Sequence, residues 1–503
     1  MTHSIRDLGN PSEFWEYFEQ ISKIPHCSGN EKLIREFIIH EANNFGFETK
    51  VDKVGNLVMK IPSKIGVDKP KIIIQCHLDM VCEKNEEIVH DFSKDPLKLK
   101  VIEVEANDWL TAEGTTLGAD NGVGIAYLLT LMKKIHFEEL KFGPLEFLFT
   151  VDEEKGLVGV FQMDRDFVEG DYLINLDTAE DDRFIIGCCG GLNSYATINI
   201  EKFLLNQNRE NFEPLRIFVS GLIGGHSGGD IHRGRANAIE ILTHFLWKLN
   251  NKYKFHLVSI NGGGKFNAIP REASAIIFVE KEVKEKLYTF MNDVLFDRQK
   301  EFSNIDPNIN ISIKNLDKIS DNRVFSKVFQ DKILQLLLLM PHGPISMHPE
   351  IRNLVFTSTN FATIKTHKNN IKILSHHRSF ESSALKFISD KFSALFNLSN
   401  LNVKTSHAGG YGGWSPDFNS KILKVAKDTY KDLFNEKAKV LAVHAGLECG
   451  ILKERYPEID MISLGPKVID AHSPDEKLKV ISVEKIWNLI LKLLNNISLE
   501  HQD

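Results

Sequence analysis

Three consecutive isoleucines, residues 72 to 74, constrain the fold of this chain more than any other stretch of its sequence. A run of β-branched residues predicts a strand that is buried on both faces, as in the centre of a parallel sheet. The run continues through Gln75 and Cys76 to His77 and, two residues later, Asp79. Side chains at positions i and i+2 of a strand share a face, so both groups point the same way. Such a pair is often structural, and a functional role requires partners elsewhere in the chain.

The bulk composition limits the class of protein. With 503 residues, the chain is long enough for two or three domains, each with its own apolar core. Hydrophobic residues make up 42% and charged residues 26%, which is typical of a globular protein. The net charge of −7 gives no global basic surface for nucleic acid or an anionic membrane, and therefore favours small-molecule chemistry.

Neither export nor membrane insertion is indicated by the sequence. The first residues lack the apolar core of a signal peptide. The densest apolar run, 333–340, is interrupted by Gln335 and falls far short of the about 20 residues that a membrane-spanning helix requires. The six cysteines contain no CxxC pair and no disulfide-like framework. We therefore expect a protein of the reducing cytoplasm.

Acidic side chains follow two further predicted strands and precede one predicted helix. Asp120 lies just before an apolar helix, where free N–H groups and the helix dipole favour an ionised carboxylate. Glu153 and Glu154 follow one strand, and Asp177 follows another. A helix cap and a solvated turn are the alternative interpretations. Because binding crevices of open α/β sheets lie at the carboxyl ends of the strands, these side chains can converge.

The middle of the chain has a different pattern of predicted helices and strands. From residue 191, strand-like segments alternate with amphipathic helices, which predicts an inserted α+β layer with its own core. Its glycine-rich loop around His226 lacks the GxxxxGK[ST] and GxGxxG patterns of nucleotide-binding loops. The glycines indicate a histidine that approaches a ligand closely, with a plain tight turn as the alternative. We expect a catalytic domain over 1–190 and 404–503, and the inserted domain over 191–403.

Five side chains have the chemistry of a metal centre, namely His77, Asp120, Glu154, Asp177 and His472. Nitrogen and oxygen donors of this kind suit zinc, manganese or cobalt and need no thiolate. Five ligands are too many for one tetrahedral site but suit two ions that share a bridging carboxylate. No HExxH motif is present, so a mononuclear site on a helix has no support. A further glutamate beside Glu154 is available to take a proton from water.

Six motifs, in register along nearly the whole chain, resemble those of the M20 family of metallopeptidases, and most closely its aminoacyl-histidine dipeptidase branch. They are IQCHLDMV (74–81), LGADNG (117–122), DEE (152–154), LD (176–177), GHSG (225–228) and DAH (470–472). The resemblance extends to GRAN (234–237) and HAGLECG (444–450). The chain departs from the pattern at Gly412, where we expect proline in relatives, and this departure leaves the shape of that loop open.

The resemblance implies an α/β fold, in which a zinc-peptidase-like catalytic domain with a mixed sheet flanked by helices is interrupted by an α+β lid domain. The lid would carry the surface of a homodimer. It also implies that Asp120 bridges two divalent ions, most simply zinc, with manganese or cobalt as alternatives. His77 and Asp177 would bind one ion, while Glu154 and His472 would bind the other.

The resemblance further implies the catalytic roles. Asp79 would orient the ligand histidine of its strand, and Glu153 would be the general base. His226 would steady the oxyanion, either in cis or from a partner subunit. Arg378 and Asn360 would grip the carboxylate and carbonyl of the substrate, since arginine offers a bidentate fork. The implied activity is hydrolysis of Xaa-His dipeptides, or of a broad range of dipeptides, by a hydroxide that bridges two metal ions.

Two other classes of function remain open from the sequence. An N-acyl amino acid deacylase or a tripeptidase of the same architecture would use the same metal ions. A binding protein that kept the fold without turnover is the second class. The presence of both Asp79 and Glu153 counts against it, because a protein without turnover has no need of a base.

Overall fold

The structure is a computed structural model, and it describes residues 5–66, 68–205, 209–317 and 322–500. Eleven α-helices lie in these residues: α1 Ser12–Ile21, α2 Lys32–Asn44, α3 Ala119–His136, α4 Val158–Gln162, α5 Ala238–Lys252, α6 Lys284–Glu301, α7 Lys327–Leu338, α8 Ser382–Leu398, α9 Lys421–Phe434, α10 Glu448–Arg455 and α11 Val480–Glu500. None of the helices in these described ranges is long and apolar enough to cross a membrane.

The strands of the described residues are β1 Glu48–Val51, β2 Leu57–Ile61, β3 Ile72–His77, β4 Leu99–Val104, β5 Asn107–Ala112, β6 Leu145–Thr150, β7 Tyr172–Asn175, β8 Arg183–Cys188, β9 Gly190–Asn199, β10 Lys202–Leu204, β11 Phe212–Ser220, β12 Gly225–His226, β13 Phe255–Gly262, β14 Ala268–Ile269, β15 Ala273–Glu280, β16 Asn310–Asn315, β17 Arg323–Phe325, β18 Gly343–Met347, β19 Val355–Thr366, β20 Asn370–Ser379, β21 Val403–Tyr411, β22 Lys439–Val443, β23 Asp460–Ser463, β24 Val468–Ile469 and β25 Lys477–Lys479.

The described chain forms two units. The first comprises the described residues up to Cys188, Trp414–Ala442, and those from Leu447 onward. The second comprises Cys189–Gly413 and Val443–Gly446. The fold is mixed α/β, as the sequence predicts.

An eight-stranded sheet, in the order β1-β2-β6-β3-β7-β23-β8-β22, forms the centre of the first unit. All residues of β3 and β6 are buried, which confirms the buried strand predicted from the three isoleucines. β3 runs parallel to both β6 and β7. Parallel neighbours need a crossover, and α3, which lies between β3 and β6 in the chain, is buried over nearly its whole length. β23, from the C-terminal part of the chain, runs parallel to β7 in the same sheet.

A nine-stranded antiparallel sheet forms the second unit, with β18 beside β19 and the other strands in the order β16-β11-β15-β13-β19-β20-β9-β21. Apolar residues of α5, α6, α7 and α8 pack with this sheet in one core. The predicted return to the first domain at residue 404 falls inside β21, which pairs with β9, so the second unit continues to Gly413. The predicted start at residue 191 lies two residues after the observed one.

The cysteines differ from the expectation. Cys27 and Cys82 form a disulfide, with their Cα atoms 5.7 Å apart. They are 55 residues apart in sequence. An isolated β-bridge between the main chains of Cys27 and Met80 brings the two cysteines close to each other. Spacing motifs could not predict this pair, because tertiary structure alone makes the two residues neighbours. The other four cysteines are buried and outside any disulfide.

Candidate active site

Three of the predicted functional segments leave the first sheet at one edge. β3, β6 and β7 are parallel neighbours, and His77 lies opposite Thr150 in the register of β3 and β6. His77 ends β3, Glu153 and Glu154 follow β6, and Asp177 follows β7. Because the carboxyl ends of parallel neighbours lie side by side, these side chains meet.

Asp120 contacts two imidazoles, one with each carboxylate oxygen. Its Oδ1 lies 3.0 Å from Nε2 of His77, and its Oδ2 lies 3.1 Å from Nε2 of His472. The backbone angles of Asp120 and Asn121 are not helical, so the regular part of α3 begins after them. Gly118, with a φ of 70°, makes the turn into this segment. The arrangement is suited to a carboxylate that bridges two ions.

The remaining two predicted ligands flank the imidazoles. Oδ1 of Asp177 lies 3.4 Å from Nε2 of His77, and Oε1 of Glu154 lies 2.8 Å from Nε2 of His472. Potential ligand atoms of His77, Asp120 and Glu154 all lie within 4.8 Å of one another. The five predicted ligands therefore come together as two imidazole–carboxylate pairs that share Asp120. Their assignment to particular ions stays a prediction.

The electrostatics of this cluster favour a bound cation. Burial, together with the charge of Asp120, raises the pKa of Asp177 to about 6. The carboxylates of Asp120 and Glu154 raise the pKa of His472 to about 11. Oε1 of Glu154 is buried and accepts no hydrogen bond, although it lies 2.8 Å from the His472 ring. The cluster therefore attracts positive charge and leaves a carboxylate oxygen unsatisfied, and its nitrogen and oxygen donors fit divalent metal ions.

Asp79 contacts both the ligand histidine and the acidic loop after β6. Nδ1 of His77 donates to the main-chain oxygen of Asp79 at 2.9 Å and lies 3.5 Å from its carboxylate. The carboxylate accepts the main-chain N–H groups of Glu153 at 2.9 Å and Glu154 at 3.1 Å. Burial by itself would raise the pKa of Asp79. Its hydrogen bonds, of which the one with His77 has the largest effect, lower the pKa to about 2. The ionised carboxylate thus holds the loop of the proposed base, a contact that the sequence did not reveal.

Glu153 lies in a setting that favours proton uptake. Burial of its carboxyl group raises its pKa well above the ordinary value, and the negative charges of Asp177 and Glu154 add to this effect, although His77 opposes it. A carboxylate whose pKa is raised takes a proton readily near neutral pH, as a general base must. The catalytic role of Glu153 stays a prediction.

Glu476 is a buried functional candidate that no motif in the sequence indicates. Its two oxygens accept the main-chain N–H groups of residues 117, 118, 119 and 120 at 2.8 to 3.2 Å. One carboxylate thus fixes the whole turn that presents Asp120. Glu476 also lies four residues after His472, so it ties two ligand-bearing loops together. No local pattern around residue 476 indicates this role, because the four N–H groups lie more than 350 residues earlier in the chain.

Replacing Glu476 with glutamine should weaken metal binding about 10- to 100-fold while the fold persists. The amide keeps the shape of the side chain, but its NH₂ group faces N–H donors, so two of the four hydrogen bonds are lost. Isothermal titration of the metal-free protein measures the affinity. Asp475→Asn, which removes a neighbouring exposed charge, is the matched control and should bind metal normally. Equal affinities of the two variants would exclude a positioning role for Glu476.

A second missed acid, Glu448, joins the three central strands. Its Oε2 accepts hydrogen bonds from Nε2 of Gln75 at 2.5 Å and from the hydroxyl of Thr150 at 2.7 Å. Gln75 in turn accepts the amide of Asn175 at 2.6 Å. Burial raises the pKa of Glu448 to about 7. This network crosslinks β3, β6 and β7 close to the points where their functional side chains leave the sheet.

Arg378 and His226 form a pair of hydrogen-bond donors within the second unit. Nη2 of Arg378 lies 3.3 Å from Nε2 of His226. Nδ1 of His226 accepts the N–H groups of Gly229 at 3.0 Å and Gly228 at 3.3 Å, so the imidazole hydrogen lies on Nε2. Burial, helped by the charge of Arg378, lowers the pKa of His226 to about 4, so the ring is neutral at pH 7. Two adjacent N–H donors suit a carboxylate or an oxyanion.

Asn360 presents an acceptor rather than a donor. Its amide nitrogen donates to the main-chain oxygens of Phe266 at 3.1 Å and Ala268 at 2.9 Å. Both amide hydrogens are therefore used, and the buried Oδ1 has no hydrogen-bond partner. The predicted grip of Asn360 on a substrate carbonyl requires a donor, which this arrangement does not supply.

Comparisons with known proteins agree on the family. The family model described as peptidase family M20/M25/M40 matches residues 73–496. The cytosol non-specific dipeptidase of Escherichia coli K12 is 35% identical over 489 residues, which cover 97% of this chain and 98% of that protein.

Solved structures give the same result. The crystal structure of aminoacylhistidine dipeptidase from Vibrio alginolyticus superposes with a TM-score of 0.86 and 34% identity, and 98% of each chain is covered. A tripeptidase from Staphylococcus aureus superposes with a TM-score of 0.56 and 14% identity over 97% of this chain and 99% of that one. The likeness to the tripeptidase concerns the fold alone.

Proposed function

Because the chain belongs to peptidase family M20/M25/M40 and is a metal-dependent dipeptidase, we propose that it hydrolyses Xaa-His dipeptides, or a broader range of dipeptides, with two divalent metal ions. Zinc is the proposed metal, with manganese and cobalt as alternatives. The relative from Escherichia coli is called a non-specific dipeptidase, and the Vibrio structure is called an aminoacylhistidine dipeptidase. These two names support the broad and the narrow substrate range respectively.

The observation that carries the proposal is the position of Asp120 between two imidazoles, each of which has a second carboxylate beside it. This pattern supports His77 and Asp177 as ligands of one ion, and Glu154 and His472 as ligands of the other. Asp120 would then contribute one oxygen to each ion. When bound, the ions supply polarisation of the scissile carbonyl and a lower pKa for attacking water.

The residues of the chain supply the proton transfers and the orientation. Glu153 takes the proton from the attacking water and passes it to the leaving amine. Asp79 keeps Glu153 in place, because its ionised carboxylate accepts the main-chain N–H of the base. The neutral imidazole of His226, either in cis or from a partner subunit, donates its Nε2–H to the oxyanion, and Arg378 binds the terminal carboxylate of the peptide.

An assay with defined substrates separates this proposal from its rivals. Dipeptides such as β-Ala-His and Gly-Gly should be hydrolysed, while N-acetyl amino acids and tripeptides should react more slowly. A preference for N-acetyl amino acids would support a deacylase, and a preference for tripeptides would support a tripeptidase. Absence of turnover with every metal would leave the non-catalytic binding protein.

Removal of metal should abolish hydrolysis and lower the melting temperature. Without cations the clustered carboxylates repel one another, and a metal that binds only the folded state stabilises that state. Dialysis against a chelator, followed by elemental analysis, calorimetry and an activity assay, measures both effects. Dialysis without chelator is the control. Zinc added back should restore activity, and full activity of a verified metal-free protein would contradict the mechanism.

A homodimer formed through the second unit and a cytoplasmic location are further proposals. Light scattering coupled to size-exclusion chromatography of the full chain tests the homodimer. The cysteines do not support a cytoplasmic location, because Cys27 and Cys82 form a disulfide. The proposed location rests on the name of the cytosol dipeptidase from Escherichia coli.

A further inference from the structure

His376 in the second unit presents a buried acceptor that has no donor. Its Nδ1 lies 2.8 Å from the side-chain oxygen of Asn193. Because that oxygen only accepts, Nδ1 carries the hydrogen and Nε2 carries the lone pair. The residue is 2% exposed, and Nε2 has no hydrogen-bond partner. Burial, with the charge of Arg378 adding to it, lowers the pKa of His376 well below the ordinary value and keeps the ring neutral.

A second buried acceptor lies beside the first. Asn360 is the register partner of His376 in the pairing of β19 with β20. It is 1% exposed, and its Oδ1 also lacks a partner. The two main-chain oxygens that accept its amide hydrogens fix the orientation of the group, so the amide cannot rotate to supply a donor without losing them. Adjacent buried acceptors without donors are rare in folded proteins unless a ligand or an ordered water supplies the donors.

The two acceptors share a face of the sheet with Arg378. His376 and Arg378 are two residues apart on β20, so their side chains leave the same face about 6 to 7 Å apart. His377 between them points to the other face, where Thr359 and Ser194 satisfy both of its nitrogens at 2.8 Å. Of these two faces, the one that carries His376 is therefore the face with unpaired acceptors, Nε2 of His376 and Oδ1 of Asn360.

The chemistry of this surface selects a neutral N–H group. The guanidinium of Arg378 repels a cationic side chain, and neither acceptor carries a charge. The ring of Phe266, which is 43% exposed, lies 5.1 Å from the ring of His376 and offers an aromatic wall. A planar group with an N–H, held a few ångströms from a carboxylate, matches these features, and a C-terminal histidine has both.

We propose that His376 and Asn360 form a subsite that accepts the imidazole N–H of a C-terminal histidine while Arg378 binds the carboxylate of the same residue. The inference rests on the proposed dipeptidase function and names the residues that would determine its substrate preference.

Methylated histidines test the subsite without changing the protein. A neutral imidazole that is methylated on either nitrogen has no N–H but keeps its aromatic ring. The zinc-loaded wild-type protein at pH 8 should cleave Gly-His with a kcat/KM about 10- to 100-fold higher than that for either N-methyl isomer, because a buried acceptor is then left unpaired. Gly-Phe should resemble the methylated peptides. Equal values for all four peptides would overturn the proposal.

Substitutions at His376 assign the effect to the residue. In His376→Leu the preference for Gly-His over Gly-Phe should fall to within about 3-fold, because the Nε2 acceptor is removed together with the hydrogen bond from Nδ1 to Asn193, which both peptides lose alike. His376→Gln retains an acceptor oxygen and should keep part of the preference. His367→Leu makes the same change at an exposed histidine in the turn before β20 and should behave as wild type.

The outcomes separate the subsite from the enzyme. An equal loss for all four peptides in His376→Leu would show a structural role and overturn the proposal. If that variant does not fold, the comparison of methylated peptides in the wild type decides alone. Cleavage of Gly-Phe without any preference for Gly-His would overturn the subsite and leave the dipeptidase intact. Failure to cleave any dipeptide with any metal would overturn both.

Discussion

Glu153→Ala is expected to lower kcat about 10²- to 10⁴-fold while both metal ions stay bound. The substitution removes the group that moves the proton but leaves the loop in place, because Asp79 holds the loop through the main-chain N–H of residues 153 and 154. Glu154, the proposed metal ligand, keeps its contact with His472. Steady-state hydrolysis of β-Ala-His and elemental analysis of the same sample measure the two quantities.

The neighbouring acid provides the matched control for Glu153. Asp152→Asn removes one negative charge from the same loop, and asparagine tolerates the positive φ of 50° at this position. Its turnover should stay close to that of the wild type. Near-normal turnover of Glu153→Ala would remove Glu153 from the role of base, and loss of a metal ion would make it a ligand instead.

Asp120→Ala is expected to lose both metal ions, and hydrolysis with them. Asp120 faces a different imidazole with each of its oxygens, so its removal takes one ligand from each proposed ion. His77→Ala should lose one ion only, because His77 belongs to one of the two proposed sets. Metal content per chain, measured at equal free metal concentration, distinguishes the two variants.

The turn that carries Asp120 should survive the substitution. Glu476 binds it through main-chain N–H groups, which alanine at position 120 also has. Circular dichroism should therefore match that of the wild type, and Asp108→Ala, at an exposed position of β5, is the control for loss of an acid. Loss of a single ion from Asp120→Ala would contradict the bridging role.

The part of the site that could be predicted from sequence follows from local physics. An apolar run that ends in His77, or in the acids after β6 and β7, indicates a buried strand whose carboxyl end carries side chains able to bind a ligand. Parallel strands bring such ends to one edge, so the convergence of His77, Glu154 and Asp177 could be anticipated without coordinates. Asp120 was predictable because a carboxylate before a helix is stabilised in its charged form.

The part that could not be predicted depends on contacts between distant segments. Glu476 meets residues 117 to 120 across more than 350 positions of sequence, and no local pattern reports a carboxylate that accepts four main-chain N–H groups. The same holds for Glu448 with Gln75 and Thr150, and for the disulfide of Cys27 with Cys82.

The boundary of the second unit differs between the prediction and the structure for a related reason. The predicted boundary at residue 404 lies inside β21, whereas the pairing of β21 with β9 keeps the whole strand in the second unit. Strand pairing joins segments that are far apart in the chain, so composition alone does not reveal it.

The residue types that can do chemistry, and their positions at the ends of buried strands, follow from the amino-acid sequence because burial and periodicity are local properties. Which atoms of those residues are free to bind a ligand depends on how the chain folds. In the folded chain, each carboxylate oxygen of Asp120 contacts a different imidazole, and the carboxylate of Asp79 accepts the main-chain N–H of Glu153. Both amide hydrogens of Asn360 are donated to main-chain oxygens, while its amide oxygen has no hydrogen-bond partner. Hydrogen bonds to main-chain groups of remote segments set these orientations, and such bonds exist only once the chain has folded.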